Sequence, residues 1–434
     1  MSTLALLGGT PVRTEKFPGY RVMGQEEKDA TARVIDSGVL SGFIAGWHEN
    51  FWGGPEVRAL EEEWAAHFRV KHAIAVNSAT SGLMAAVGAV GVEPGDEVIV
   101  PPYTMSATAV APLVWNAVPV FADLEPRGFC LDPVSVEARI TPRTRAILAV
   151  DIFGHPYDAE ALNALARKYG LAVIEDCAQA PGASYQGRFA GTLGNLGIFS
   201  LNFHKHIHCG EGGVVVTDDD DLALRVRMIR NHAESSLDNS GITDLRNMVG
   251  FNFRMTELEA AVARCQLRKL DHVLPERQEN CAYLNARLGE IPAISPTWVR
   301  EGATHSYYFH ALTFDEGVAG VSRNRFIDAV RAELPVTELR EKEGVNLRAG
   351  YVKPVYLLPM FQERQAYGSR HCPFVAPWHE GNVSYAPGIC PVCERLQSSE
   401  IFVHELMRPP FRREDLDDVV RAFEKVWEHR KDLA

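Results

Sequence analysis

Short apolar runs alternate with amphipathic stretches between residues 71 and 217. Seven of these runs read as strands, at residues 72–76, 97–100, 118–121, 146–150, 171–174, 197–199 and 213–216. Residues 81–90 and 158–169 read as helices between them. Because the runs are nearly continuous in β-branched residues, we expect a mostly parallel sheet buried on both faces. In such an α/β domain, sites form beyond the carboxyl ends of the strands.

The chain after residue 256 has a different pattern. Residues 257–274 repeat apolar positions at near-helical spacing, Pro275 is expected to end or kink that helix, and residues 276–288 read as helix again. A strand at 309–314 and helices at 323–332 and 413–430 follow. We therefore predict two domains. Residues 1–256 form an N-terminal arm and a large α/β domain, and residues 257–434 form a linking helix and a smaller α+β domain.

Composition and charge exclude several classes of protein. The 434 residues are 46% hydrophobic and 23% charged, with a net charge of −12, which disfavours nucleic-acid and anionic-membrane partners. No stretch approaches the length of a membrane span, and the first 13 residues lack the features of a signal peptide. The eight cysteines are scattered, which is typical of reduced thiols, so we expect a cytoplasmic protein.

Lys205 is the most informative candidate for chemistry. It lies between an apolar strand that ends at Ser200 and a Gly-Glu-Gly-Gly turn at 210–213. A lysine near sheet ends, beside glycines that allow close backbone approach, suits Schiff-base formation with a carbonyl group. A solvated surface lysine is the ordinary alternative for one residue taken alone.

Three other segments have polar residues at a strand end or a helix start. Residues 77–83 lead from a strand into a helix, where free N–H groups and hydroxyls suit an anion, although a plain N-cap has the same pattern. Asp176 lies just past an apolar strand, where a carboxylate favours a cationic partner such as a pyridinium nitrogen or an arginine. Residues 250–257 form a polar turn before the long helix, with Thr256 or Asn252 as its cap.

Together, and in this order, these segments resemble the sugar aminotransferases usually called the DegT/DnrJ/StrS family. The resemblance extends over nearly the whole chain and is carried by residues 7–11, 53–55, 95–101, 175–176, 205–213, 250–255 and 390–395. It implies a pyridoxal-phosphate enzyme of the aspartate aminotransferase fold (fold type I), with a mostly parallel seven-stranded sheet in its large domain. It also implies a homodimer whose subunits share their active sites.

The resemblance assigns roles to single residues. Lys205, five residues before the first glycine of Gly-Glu-Gly-Gly, matches the Schiff-base lysine, and Asp176 matches the aspartate on the pyridine nitrogen. The matches for the other cofactor contacts are Gln179 near the phenolic oxygen, and Ala79, Thr80, Ser200 and, from the neighbouring subunit, Asn252 at the phosphate. Arg254 is a weaker candidate for a substrate or donor carboxylate.

The implied reaction is transamination from an amino acid, glutamate or glutamine, to a keto sugar, nucleotide sugar or cyclitol, with the cofactor passing through its pyridoxamine form. One alternative is a pyridoxamine-dependent sugar dehydratase, a subset of the family in which histidine replaces the lysine. Another is a non-catalytic regulatory member. Retention of Lys205 and Asp176 disfavours both. No Gly-x-Gly-x-x-Gly follows a strand, so a nicotinamide oxidoreductase is poorly supported.

The chain departs from the family pattern at several positions. Met105 occupies the place where we expect an aromatic ring stacked on the cofactor, with Tyr103 as the alternative. His204, His206 and His208 alternate around Lys205, but we predict no metal there.

Two features later in the chain leave further alternatives. The cysteines at 372, 390 and 393 invite a zinc interpretation, which we disfavour because residues 390–393 match a common family loop. Residues 367–388 read as a long loop, and we expect Trp378 and His379 in it to line the substrate pocket or a subunit contact, unless the loop is a mere cover.

Overall fold

The structure is a computed structural model that describes residues 4–379 and 382–433. The helices are α1 Gln25–Ser37, α2 Pro55–Phe68, α3 Ala79–Ala89, α4 Ser106–Val110, α5 Pro133–Glu137, α6 Ala159–Tyr169, α7 Asp220–Arg230, α8 Glu257–Leu267, α9 Leu270–Leu288, α10 Glu316–Ala319, α11 Arg323–Ala332, α12 Pro359–Gln362, α13 Pro391–Arg395 and α14 Arg413–Glu428. None of these helices is both long and apolar enough to cross a bilayer.

The strands form three sheets. They are β1 His72–Val76, β2 Glu97–Val100, β3 Val118–Phe121, β4 Thr144–Val150, β5 Ala172–Asp176, β6 Ser184–Tyr185, β7 Arg188–Phe189, β8 Leu196–Ser200, β9 Gly213–Thr217, β10 Ile294–Ser295, β11 Ala303–Thr304, β12 His310–Phe314, β13 Leu347–Ala349 and β14 Ile401–His404. The largest sheet has the order β1-β9-β8-β5-β4-β2-β3. Its strands are parallel except β9, which runs antiparallel to both neighbours.

Alternation along the strands explains why this sheet is covered on both faces. In β1, Ile74 and Val76 pack into one apolar cluster, whereas Ala73 and Ala75 pack into another that contains Trp64 of α2. Side chains of successive strand residues point to opposite faces, so a run without polar residues requires helices on each side. The predicted buried, mostly parallel sheet is confirmed.

The C-terminal part contains its own antiparallel sheet, of order β10-β12-β14-β13. Helices α11 and α14 contribute buried faces to its apolar cluster, including Phe326 of α11 and Phe423 of α14. The predicted strand and both predicted helices of this region are present with ends within two residues of the expected positions. The predicted division of the chain at residue 256 stays a prediction.

One expectation about the later elements needs correction, and one small sheet was not predicted. The long helix is interrupted at Arg268–Lys269, between α8 and α9, and Pro275 lies inside α9. Because α9 starts afresh at Leu270, the proline removes one donor from its second turn and does not end the helix. The three-stranded sheet β11-β6-β7 was not predicted, since two-residue strands are too short to leave a pattern.

Candidate active site

A cavity of about 410 Å³ lies at the carboxyl edge of the large sheet, where the last residues of β4, β5 and β8 meet. Its lining consists of Ser78, Ala79, Thr80, Leu83, Thr104, Met105, Ala107, Val150, Asp176, Ala178, Gln179, Ser200, Asn202, His204, Lys205, Glu211, Gly212, Tyr308 and Tyr351. Parallel strands bring their carboxyl ends to one edge, which is why residues far apart in sequence converge here. The cavity collects all the predicted site residues except Asn252 and Arg254.

Asp176 is the buried carboxylate of the cavity. It ends β5 and is 5% exposed; its Oδ2 accepts a hydrogen bond from Thr108 Oγ1 at 2.8 Å and its Oδ1 accepts one from the N–H of Ala178 at 3.1 Å. Thr108 lies one turn after Thr104, and their hydroxyls are 3.1 Å apart. Burial raises the pKa of Asp176, against the hydrogen bonds from Thr108 and Ala178 and the charge of Lys205. A cationic group in the cavity would therefore stabilise the charged carboxylate.

The amino end of α3 lies at one end of the cavity, where its N–H groups suit an anion. Ser78 caps the helix by accepting a hydrogen bond from the N–H of Ser81, so the N–H groups of Ala79 and Thr80 lack a partner within the helix. Ser200, at the end of β8, adds a hydroxyl to the lining. A Cβ atom at Gly213 would lie 2.6 Å from the amide nitrogen of Ala79, so glycine keeps this N-terminus open.

Lys205 lies in the loop between β8 and β9, and its amine reaches the same cavity. Its Nζ is 4.2 Å from the centre of the Tyr308 ring. Burial lowers the pKa of Lys205 to about 8, assisted by the charge of Arg408 and opposed by Asp176 and Glu405. An amine with this pKa is a nucleophile and a base near neutral pH.

Gln179, Tyr308 and Tyr351 form a further wall of the cavity. Gln179 accepts a hydrogen bond from the N–H of Phe153 at 2.7 Å and donates one to the Tyr351 hydroxyl at 3.0 Å. Its amide is thus fixed before any ligand is present. Burial raises the pKa of Tyr308 to about 12, so this tyrosine is neutral at physiological pH.

Met105 and Tyr103, the two candidates for stacking on the cofactor, lie in different environments. Met105 lines the cavity and is 63% exposed, whereas Tyr103 is fully buried and donates its hydroxyl hydrogen to Gln397 at 2.5 Å. Tyr103 therefore has no access to a ligand in the cavity. The stacking role of Met105 stays a prediction.

Asn252 and Arg254 lie outside the cavity of their own chain. Asn252 is exposed, and its Oδ1 accepts a hydrogen bond from Arg254 Nε at 2.8 Å. Its backbone oxygen accepts one from the Asn77 side chain at 3.4 Å. This position is compatible with the predicted contribution to the site of a second subunit. Thr256, the alternative cap, is the observed N-cap of α8 and forms a capping box with Glu259.

The alternating histidines point into different surroundings. His204 lines the cavity, and burial lowers its pKa, so it is neutral at pH 7. His206 is fully buried with Nε2 2.8 Å from the carbonyl oxygen of Ser306. Within residues 4–379 and 382–433, no three His, Cys, Asp or Glu side chains are grouped so that they could hold a metal ion.

The cysteines proposed as a zinc alternative also lie apart from the cavity. Cys390 and Cys393 are buried in the core, and the Cys393 N–H donates to Asp123 at 3.0 Å. Burial raises the pKa of both thiols, which disfavours the thiolate form that binds metal. Cys372 lies elsewhere, with its sulfur 3.5 Å from the Asn116 side chain.

The loop with Trp378 and His379 does not line the cavity. His379 lies 3.5 Å from Glu97, the first residue of β2, and a Cβ atom at Gly95 would meet the Trp378 carbonyl oxygen at 2.5 Å. This is the amino edge of the sheet, opposite the cavity. The expectation that these residues line the substrate pocket of their own chain was wrong, because the loop packs on the strand starts; a subunit contact stays a prediction.

The groups in the cavity fit pyridoxal 5'-phosphate. Free N–H groups and a hydroxyl at one end suit a phosphate, the buried Asp176 carboxylate suits a protonated ring nitrogen, and the Lys205 amine suits an aldehyde. The absence of a side chain at Gly213 supports this fit, because a methyl group there would collide with the start of α3, where the phosphate would bind.

Several residues of the site were not identified from the sequence. Thr108 leaves one weak signal, a threonine pair at i and i+4 that puts both hydroxyls on one side of a helical turn. Tyr308 and Tyr351 come from the C-terminal half, in stretches without a motif. Only the folded chain brings them to the sheet edge.

The chain is similar to aminotransferases over nearly its whole length. A profile described as the DegT/DnrJ/EryC1/StrS aminotransferase family matches residues 44–423. An L-glutamine:2-deoxy-scyllo-inosose aminotransferase from Streptoalloteichus tenebrarius is 33% identical, covering 99% of each chain. The spore coat polysaccharide biosynthesis protein SpsC of Bacillus subtilis is 30% identical over 93% of this chain and 95% of its own.

Solved structures agree with the fold. DesI, determined with its TDP-sugar product, superposes with a TM-score of 0.81 at 28% identity, covering 99% of this chain and 97% of its own. The predicted fold of a pyridoxal-phosphate aminotransferase is thereby confirmed.

Proposed function

This chain belongs to the DegT/DnrJ/EryC1/StrS aminotransferase family, and we propose that it transfers the amino group of L-glutamine to the carbonyl carbon of a keto cyclitol. The observation that carries this proposal is the convergence of Lys205, Asp176 and the amino end of α3 on one cavity. These are the three groups that a pyridoxal-phosphate transaminase requires. The proposal also assigns the cofactor contacts, the amino donor and acceptor, and a dimer.

The cofactor would be held at three points. The N–H groups of Ala79 and Thr80, with the Ser200 hydroxyl, would bind its phosphate, and Asp176 would bind its ring nitrogen. Thr108 keeps Asp176 oriented by its hydrogen bond of 2.8 Å. We assign Gln179 to the phenolic oxygen and Met105 to the exposed ring face. When bound, pyridoxal phosphate supplies an electron sink that makes the α-carbon of an amino acid acidic.

Lys205 would move the proton. With a pKa of about 8, its Nζ would take a proton from the donor α-carbon near neutral pH and deliver it to the bound cofactor, and in the second half it would move a proton from the cofactor to the acceptor carbon. Tyr308 lies against this amine and, because it is neutral, adds no competing negative charge. Burial lowers the pKa of His204, so its imidazole is a weaker base than the Lys205 amine.

The net reaction exchanges an amino group for a carbonyl oxygen. The α-carbon of glutamine is oxidised by two electrons to the ketone of 2-oxoglutaramate, and the acceptor carbonyl carbon is reduced by two electrons to an amine. The choice of glutamine and of a cyclitol rests on relatives named as glutamine-dependent aminotransferases of 2-deoxy-scyllo-inosose. DesI, a structural neighbour with a TDP-sugar product, makes nucleotide keto sugars the second class of acceptor.

We further propose a homodimer in the cytoplasm. Asn252 and Arg254 lie outside the cavity of their own chain and would complete the site of a second subunit, with Asn252 at the phosphate and Arg254 toward a substrate carboxylate. The eight cysteines are all unpaired, which suits a reducing compartment.

An acceptor screen tests the substrate proposal. The protein, supplied with pyridoxal phosphate and glutamine, is offered 2-deoxy-scyllo-inosose, other keto cyclitols, and nucleotide keto sugars, with mass detection of a gained amine. We expect amination of a keto cyclitol together with formation of 2-oxoglutaramate. Amination of a nucleotide sugar alone would replace the proposed acceptor class, and loss of water from a sugar without amination would indicate a dehydratase.

Borohydride trapping tests the proposed role of Lys205. We expect reduction to fix the cofactor on the wild-type protein at Lys205, as read by peptide mass, and to leave it removable from Lys205→Ala protein. Trapping of the wild type at another lysine would refute the assignment.

A further inference from the structure

Arg348 is an arginine beside the cavity whose guanidinium is not held in a close ion pair with another described residue. It is exposed on β13, and its guanidinium forms no hydrogen bond or ion pair with residues 4–379 or 382–433, although its charge contributes to lowering the pKa of the nearby Glu405 carboxyl. Its guanidinium carbon lies 5.8 Å from the centre of the Phe309 ring, and Phe309 packs edge-on against both Tyr308 and Tyr351 of the cavity wall. Arg348 therefore borders the wall that faces Lys205.

The other arginines near this wall are already paired. Arg340 forms ion pairs with Glu343 and with Glu405, the latter at 2.8 Å. Arg408 pairs with Glu405 and donates to the carbonyl oxygen of His204 at 2.9 Å. An anion that engaged the whole guanidinium fork of either arginine would have to break a buried ion pair, which is costly. Arg348 offers its full fork of N–H donors without that cost.

We infer that Arg348 binds the α-carboxylate of the amino donor at the mouth of the cavity. The inference rests on the proposed function. A keto cyclitol is uncharged, so the only anionic group on the two proposed substrates is the carboxylate of glutamine. In a chain of net charge −12, an anionic substrate requires a local cation. A guanidinium fork binds a carboxylate in a bidentate manner and thereby orients the α-carbon.

Arg254 of a second subunit is the rival for this role. Its Nε is engaged by Asn252, which leaves part of the fork free. The two assignments make different predictions for single variants, so both arginines enter the experiment.

The experiment measures each half of the reaction separately on the cofactor-loaded protein. For Arg348→Ala, we expect the glutamine concentration that half-saturates the bleaching of cofactor absorbance to rise at least about tenfold, the loss expected for a charge-assisted hydrogen bond. The rate and half-saturation of the amine-loaded protein with 2-deoxy-scyllo-inosose should stay within about twofold, since the cyclitol has no carboxylate. Arg348→Lys keeps the charge but loses the fork and should be intermediate.

Calorimetric binding of glutaramate, which is glutamine without its amino group, gives a readout that requires no turnover. Its Kd should rise at least about tenfold in Arg348→Ala and stay unchanged in Arg325→Ala, which removes an exposed arginine of α11 that does not line the cavity.

The inference is overturned by unchanged glutamine and glutaramate constants in Arg348→Ala, or by a tenfold loss in Arg254→Ala with none in Arg348→Ala. Loss of amination of a nucleotide sugar, with glutamine use intact, would also overturn it and assign Arg348 to a diphosphate. A wild-type protein that binds glutaramate but never bleaches with glutamine would refute the proposed function instead, and glutaramate would still decide the role of Arg348.

Discussion

Lys205 combines a functional requirement with a cost in stability. Its pKa is about 8 in the folded protein and near 10.5 in the unfolded chain, mainly because burial disfavours the ammonium. Below pH 8 both states hold the proton and the cost of the buried charge is fully present. Between pH 8 and 10.5 the unfolded chain binds more protons, so stability increases with pH until the cost disappears.

Lys205→Met should therefore stabilise the cofactor-free protein, and by an amount that depends on pH. The methionine side chain has similar length and no charge. We expect the gap in midpoint of thermal unfolding between variant and wild type to be largest below pH 8 and to close toward pH 10.5. Unfolding curves from pH 7 to 10.5 measure it. A gap that does not change with pH would mean that packing, and not the ammonium, is responsible.

At the residue scale, the sequence identified site residues that belong to a motif. It did not identify residues whose role depends on tertiary packing. Lys205 lies five residues before the first glycine of the Gly-Glu-Gly-Gly turn, and Asp176 lies at the end of an apolar strand. The fold brings both residues to the cavity. Met105 and Tyr103 could not be distinguished, because their difference depends on Gln397, almost 300 residues away, which binds the Tyr103 hydroxyl. The same long-range dependence hid Arg348.

At the scale of elements, the strands were predictable because a buried parallel strand has an unbroken apolar run. The observed β1, β2 and β3 have the predicted bounds. The break between α8 and α9 was not predictable from Pro275. A proline in the sequence shows only that one backbone N–H donor is missing. The position at which the helix restarts depends on tertiary packing.

The amino end of α3 depends on the missing side chain at Gly213. A Cβ atom there would lie 2.6 Å from the Ala79 nitrogen and 2.7 Å from the Ser78 carbonyl carbon, so Gly213→Ala should push α3 away from β9. We expect a loss of about 1–3 kcal/mol in the free energy of unfolding and weaker binding of pyridoxal phosphate. Equilibrium unfolding and absorbance titration measure the two effects.

Gly46→Ala is the matched control, because its Cβ atom would meet nothing within 4 Å and its φ is not positive. Wild-type cofactor affinity in Gly213→Ala would contradict the proposed phosphate site.

The ends of β4 and β5 are joined by a buried pair of carboxyl groups, Asp151 and Glu175. Burial raises the pKa of Glu175, but the hydrogen bonds that it accepts from the N–H groups of Gly191 and Leu193, at 2.6 and 2.8 Å, oppose this shift and favour its ionised form over that of Asp151. Burial, and after it the charge of Glu175, raises the pKa of Asp151 far above its usual range. Asp151 is therefore the protonated partner, and it accepts the Tyr157 N–H at 3.0 Å.

Asp151→Asn should cost little and Asp151→Ala much. The amide keeps a donor for Glu175 and an acceptor for Tyr157, whereas alanine leaves buried groups unpaired at a cost of about 1–3 kcal/mol. Because folding of the wild type requires proton uptake above the unfolded pKa of Asp151, the asparagine variant should gain relative stability as pH rises from 4 to 7. Urea unfolding at both pH values measures this. Equal losses in the two variants would mean that Asp151 is ionised.

At the scale of the whole molecule, large apolar side chains are exposed at the cavity and in the segments that precede Lys205 and Asn252. Met105 at the cavity and Val249 beside the 250–254 turn are 63% and 62% exposed, and Phe203 beside the lysine loop is 50% exposed. Large apolar side chains exposed near a site are typical of a surface that binds another protein. No pattern along the sequence marks this surface, because it is assembled from separate loops.

A shared site predicts that two inactive variants restore each other. Lys205→Ala and Asn252→Asp are each expected to be inactive, the second because a carboxylate repels the cofactor phosphate. In a heterodimer of the two, one site would combine Lys205 with the partner subunit's Asn252 and be intact, and the other would have both lesions. Heterodimers isolated through two different tags should thus have about half of the wild-type activity per dimer. Each homodimeric variant, tagged and purified in the same way, is the control. If Asn252 instead served the cavity of its own chain, both sites of the heterodimer would have one lesion and no activity would return, although sedimentation would still detect the dimer.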